Sequence, residues 1–129
     1  MGSEETIVKM KKFTSELLGA LINKENVPKA FEAFRELYET EFRSYKEKMG
    51  RVIGMMPRDY SGVQTDIGNV YENNFMDLTR YGNEAVSFGL NGEFGSGFQS
   101  QVEMFFSSLG VAEMQHDCIN DAFRKKSTE

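Results

Sequence analysis

From Phe31 to Met56 the apolar side chains recur at intervals of three and four, and no other feature limits the fold of this chain as strongly. Phe31, Phe34, Tyr38, Phe42, Tyr45, Met49, Val52, Ile53 and Met56 form one stripe, which the helical repeat gathers on a single face. Glu32, Arg35, Glu36, Glu39, Arg43, Lys46, Glu47 and Arg51 fall on the other side. Proline fits a first helical turn and stops a helix elsewhere, so Pro28 opens this segment and Pro57 closes it. Residues 28–56 therefore read as one helix about 43 Å long, at 1.5 Å per residue. Glu39 with Arg43 and Glu47 with Arg51 are pairs four apart, each contributing about 0.2–0.5 kcal/mol.

Three further stretches carry the same period. Ile7, Met10, Phe13, Leu17, Leu18, Leu21 and Ile22 predict a helix over 5–23. Val63, Ile67, Val70, Tyr71, Phe75, Leu78, Tyr81 and Ala85 predict another over 62–88. The last runs over 98–126, with Phe98, Val102, Phe105, Phe106 and Leu109 before Gly110 and Val111, Met114, Cys118, Ile119, Ala122 and Phe123 after it. On one continuous wheel these two sets differ by roughly 130°. A break or kink near Gly110 reconciles them, because glycine is a weak helix former and a common helix terminator. Arg124, Lys125 and Lys126 complement the dipole of a final turn. Between the last two helices, Gly89–Gly97 holds four of the twelve glycines. Asn91-Gly92 suits a two-residue hairpin turn. A lone hairpin is marginal in water, so an inter-helix loop is favoured. The expected fold is all-α, an antiparallel four-helix bundle forming one domain over residues 1–129.

Composition narrows the function classes. Fifteen basic against twenty acidic residues give a net charge of −5, the wrong sign for an ordinary nucleic-acid binder. Cys118 is the single cysteine and His116 the single histidine, so an internal disulfide and any histidine-rich metal or haem site are excluded. No apolar run approaches the roughly 20 residues of a membrane span, and no secretory signal is visible. A cytoplasmic, soluble chain is the expectation. Met1-Gly2-Ser3-Glu4-Glu5-Thr6 matches the loose myristoylation pattern at Gly2. The acidic pair at 4 and 5 argues against membrane anchoring.

Each constellation with chemical potential has a plainer reading. Glu113-Met114-Gln115-His116 has the Glu-x-x-His spacing of di-iron bundles, which need two such units and further glutamates. It occurs once, and a restart at Gly110 turns Glu113 away from the core; without the break, both residues face inward. Cys118 and His116 are two apart, so on a helix they point in different directions and cannot form an activated thiol pair. Cys118 reads as a small core residue. The glycine-rich run lacks the lysine of a phosphate-binding loop. As a calcium loop it would place Gly92 and Phe94 where carboxylates are required. No catalytic residue, cofactor or metal site is expected, and the chain reads as non-enzymatic.

The placement of charge is more informative than its sum. Residues 1–59 carry 21 charged side chains, whereas residues 60–110 carry seven. Asn69, Asn73, Asn74, Asn83, Ser87, Gln99, Ser100, Gln101, Ser107 and Ser108 fill much of the remaining surface pattern. Interface cores are depleted of charge. The expectation is a protein–protein interaction or self-association domain, with a homodimer as one form. Its contact surface would be Tyr71, Phe75, Met76, Tyr81, Phe94 and Phe98. The alternative is a small carrier holding an apolar ligand within the bundle, since Phe and Met also line adaptable grooves. Gly50, Gly54, Gly68 and Gly82 read as points of close helix approach.

Overall fold

The computed structural model describes the backbone of residues 2–55 and 61–128, and the side chains of 5–55 and 69–121 apart from 46 and 53. The elements are α1 (Gly2–Asn23), α2 (Val27–Glu39), a 3-10 turn (Phe42–Ser44), α3 (Tyr45–Gly54), α4 (Ser61–Leu90) and α5 (Ser96–Thr128). There is no strand among the described residues. Pro57 as a helix stop and the turn after it lie outside them. So do the side chains of Ile53, Met56, Val63, Ile67, Gly68, Ala122, Phe123 and Arg124–Lys126.

The arrangement is the expected antiparallel bundle, with α2, the 3-10 turn and α3 forming one arm. Lys9 pairs with Glu41 across α1 and this arm. Rings of Tyr45 and Tyr71 meet at 5.7 Å, while Phe31 lies over Gly89, so the arm and α4 run in opposite directions. Asn74 reaches Ser108 and Phe88 reaches Gly97, which makes α4 and α5 antiparallel as well. The α4–α5 pair makes the most extensive contact in the bundle.

Residues 28–56 are not one helix, which corrects the expectation from periodicity. Thr40 donates both its backbone N–H (3.0 Å) and its hydroxyl (2.8 Å) to the Glu36 carbonyl, and Ser44 Oγ donates to the Glu41 carbonyl at 3.0 Å. Hydroxyls that bond back to helix carbonyls loosen and bend the ladder, and here the chain passes through a 3-10 turn. The apolar stripe survives: Phe31, Phe34, Tyr38, Phe42, Tyr45 and Met49 are all buried. Glu47–Arg51 forms as an ion pair at 3.2 Å. Glu39–Arg43 spans the break and does not form among the described ion pairs.

Helix α5 overturns a second expectation, since it continues without interruption through Gly110. Its buried stripe is Phe98, Val102, Phe105, Leu109, Ala112, His116 and Ile119, a strict alternation of four and three. Three polar residues, Ser108, Gln115 and His116, are buried with this face. Val111 (38% exposed) and Met114 (61%) stand outside it, as does the exposed Cys118. Reading only apolar residues therefore produced an apparent change of face that the helix does not make.

Both described connections rely on left-handed backbone. Lys24 (φ 56°) and Asn26 (φ 50°) turn the chain from α1 into α2, asparagine tolerating that region better than lysine. Between α4 and α5 the chain forms a loop, not a hairpin. Gly92 (φ 71°) sits just past α4, with Gly92 N–H donating to Gly89 O at 3.0 Å and Glu93 N–H to Phe88 O at 2.9 Å. This is a Schellman cap, and it needs a residue without a Cβ penalty at position 92.

Two glycines admit aromatic rings onto a helix backbone. A Cβ at Gly82 would lie within the Tyr38 ring, and one at Gly89 within the Phe31 ring. Gly82 thus fits the close-approach reading. Gly50 and Gly54 do not, because a Cβ at either meets nothing within 4 Å. Alanine favours a helix by about 1 kcal/mol over glycine. At position 89 that gain is outweighed, because Phe31 is itself held edge-on by Phe94 (5.6 Å) and Phe98 (5.9 Å). Gly89→Ala is expected to lower the unfolding free energy by about 1–3 kcal/mol, the usual range for overpacking, in a urea titration.

Candidate functional site

The core is built around an aromatic ladder. Phe34, Tyr38, Phe42, Tyr45 and Phe75 follow one another with ring centroids 5.1–6.3 Å apart. Phe105 meets Phe34, Tyr38 and Phe42 edge-on at 5.5–5.8 Å. Burial pushes the Tyr38 phenol up to about 12, against a smaller opposing pull from the Arg43 guanidinium. The Tyr45 phenol is pushed well above the usual tyrosine range by burial. Tyr71 moves the same way through burial first, then its neighbours Tyr45 and Glu72.

The interior also holds polar groups. Tyr45 meets the His116 ring at 6.1 Å, and Asn74 Nδ2 donates to the Ser108 carbonyl at 2.9 Å. Thr14 Oγ1, Tyr45 Oη, Asn74 Oδ1 and both amide atoms of Gln115 are buried without a hydrogen-bond partner. A buried polar atom left unpaired costs about 1–3 kcal/mol. Gln115 is 6% exposed with neither end satisfied. Gln115→Met, which keeps length and flexibility, is therefore expected to raise the unfolding free energy by about 1–3 kcal/mol in denaturant titration.

Neither His116 nor Cys118 presents the geometry of a catalytic pair, since one is buried and the other exposed. Glu113 is engaged by Lys11 at 3.2 Å, and the Lys11 ammonium also lies 6.0 Å from the Phe106 ring. No group of three or more potential metal-ligating His, Cys, Asp or Glu side chains occurs among the described residues. Among them, too, no helix is long and apolar enough to cross a membrane.

The six residues expected to form a contact surface separate into three groups. Tyr71 (1% exposed) and Phe98 (0%) lie inside the bundle, which removes them from the surface of this fold. Tyr71 Oη donates to the Tyr45 carbonyl at 3.4 Å. Phe75, Tyr81 and Phe94 are half-buried and pack onto the core; Arg80 stacks on the Tyr81 ring at 4.7 Å and donates to its hydroxyl at 2.8 Å. Met76 alone of the six is strongly exposed, at 65%.

Part of the exposed apolar surface lies in a row along α5. Ser100, Met104, Ser107, Val111, Met114 and Cys118 are exposed, at spacings of four and three that make a second stripe, away from the buried one. On α4, Val70, Met76 and Leu90 are also exposed, among Asn69, Asn73, Asn83 and Ser87. Periodicity missed Val111, Met114 and Cys118 as surface because it had spent them on the core. The signal that finds them is the strict four–three run through His116. Compared with known proteins, the chain matches no family model, no curated sequence and no solved structure.

Proposed function

We propose that the chain is a non-enzymatic helical interaction module that self-associates through the outer face of α5 and the adjoining α4 surface. The supporting observation is the second stripe of α5. A helix that has already buried one face in its own bundle still carries Met104, Val111 and Met114 outside it. Ser100, Ser107 and Gly110 beside them keep the surface low, so another helix can approach closely. Exposed apolar residues grouped along one face, with little charge between them, mark contact surfaces.

Light scattering across a concentration series tests this reading. A mass rising from monomer to dimer is expected, with Met114→Glu weakening association at least about tenfold, a change of about 1.4 kcal/mol. Because Met114 is 61% exposed, the substituted chain should retain its helical signal and melting temperature. A monomer at every concentration would overturn self-association.

A further inference from the structure

We propose that the cleft between the bent arm and α4 binds a small aromatic carboxylate. The cleft has a volume of about 260 Å³ and is lined by Tyr38, Phe42, Arg43, Phe75, Thr79 and Asn83. That volume falls just below the range of drug-sized sites, about 300–1,000 Å³, and suits a single substituted ring. It lies beside the 3-10 turn, where the helix ladder is interrupted between Glu39 and Tyr45.

Its two ends differ in chemistry. One wall is apolar, with the Phe42 and Phe75 rings nearly parallel (14°) and their centroids 5.9 Å apart. At the other end, Arg43 has no ion pair among the described residues. Two acids close to it in sequence are engaged elsewhere, Glu41 with Lys9 and Glu47 with Arg51, both at 3.2 Å. The guanidinium thus stands without an ion-pair partner within 4.0 Å among the described residues, at the mouth of a partly apolar cleft, the setting in which a planar carboxylate gains most from a two-pronged contact.

The polar atoms between these ends leave capacity for a ligand. Tyr38 is 5% exposed and donates its hydroxyl proton to Asn83 Oδ1 at 2.7 Å. That bond fixes the Asn83 amide and leaves its Nδ2 donors available. Thr79 Oγ1 is buried beside the cleft without a partner. A ring resting on the half-buried Phe75, which Phe42 (2% exposed) backs from inside, would hold its carboxylate toward Arg43 and a ring substituent toward Asn83. This site is separate from the α5 stripe, so self-association and ligand binding can fail independently.

Amide NMR titration with benzoate, and with para-hydroxybenzoate, tests the assignment on the intact chain. Shifts confined to residues 38–43 and 75–83 and saturating in the low millimolar range are expected. Arg43→Gln should weaken binding at least about tenfold, as should replacing benzoate by uncharged benzyl alcohol, while Arg43→Lys should fall between. Arg43 is exposed, so the fold should persist in both variants, which circular dichroism verifies. Absence of localised shifts, shifts centred elsewhere, or equal binding by Arg43→Gln and the parent chain would each overturn the proposal.

Discussion

Phe105→Ala is expected to remove about 3–5 kcal/mol of unfolding free energy, the range for deleting a fully buried aromatic side chain. Phe105 is 0% exposed and is the residue on which three rings of the arm converge edge-on. The loss combines the transfer free energy of the ring, the cavity left behind, and edge-to-face contacts of about 0.5–1.5 kcal/mol each. Since a domain's total stability is about 5–15 kcal/mol, this one substitution removes at least about a fifth of it. Urea titration followed by circular dichroism provides the measurement. Phe105→Leu should recover much of the loss, and Met76→Ala, on the exposed face of α4, should stay within about 0.5 kcal/mol of the parent. A loss below 1 kcal/mol for Phe105→Ala would show that the arm and α5 are not joined through this ring.

Alkaline unfolding should be steep. Tyr38, Tyr45 and Tyr71 all have phenol pKa values raised in the folded state, chiefly by burial. An unfolded tyrosine loses its proton near pH 10, while the folded chain keeps these three protonated. Above that pH the unfolded state binds fewer protons, so stability is fully present below pH 10 and declines as pH rises. The decline is about 1.4 kcal/mol per pH unit for each tyrosine. For Tyr38 it ends near its folded value of about 12, and for the other two it continues higher. Circular dichroism against pH should therefore show unfolding that coincides with the tyrosinate absorbance. Tyr45→Phe should move the midpoint upward, because the Tyr45 hydroxyl has no hydrogen bond to lose. Gradual tyrosinate absorbance with the fold intact would contradict this burial.

The bundle was legible in the sequence because its four stripes obey one period over long segments, and α1 and α4 end within a few residues of their expected limits. The interruption in the arm was not, because the stripe crosses Thr40 and Ser44 without losing phase. A hydroxyl that bonds back to a carbonyl leaves no mark on hydrophobic spacing. The continuity of α5 was hidden by chemistry instead. Its inner face is completed by Gln115 and His116, and a polar residue on a buried stripe is read as surface. That one misreading also carried Met114 and Val111 inward. Of the six residues proposed from scarce charge as a contact surface, Met76, which lies off the core stripe, is the one that stands well exposed. Tyr71 and Phe98 were drawn into the surface although their spacing is that of the core. The α2–α4 cleft had no signature, since it arises where a bend in one helix meets a neighbour distant in sequence.

The unbroken four–three stripe of α5 raises a question of alignment. A stripe that repeats every seven residues looks alike after a slide of one repeat, roughly 10 Å along the helix axis. Pure leucine would leave such neighbouring settings nearly equal in energy. Here a seven-residue slide would carry Ala112 toward the space of Phe105, leaving the rings of Phe34, Tyr38 and Phe42 without their edge-on partner, or His116 toward that of Leu109. The unsatisfied atoms around Gln115 lower the depth of the native well, but they also mark one end of it, so that α5 has a single place to stop.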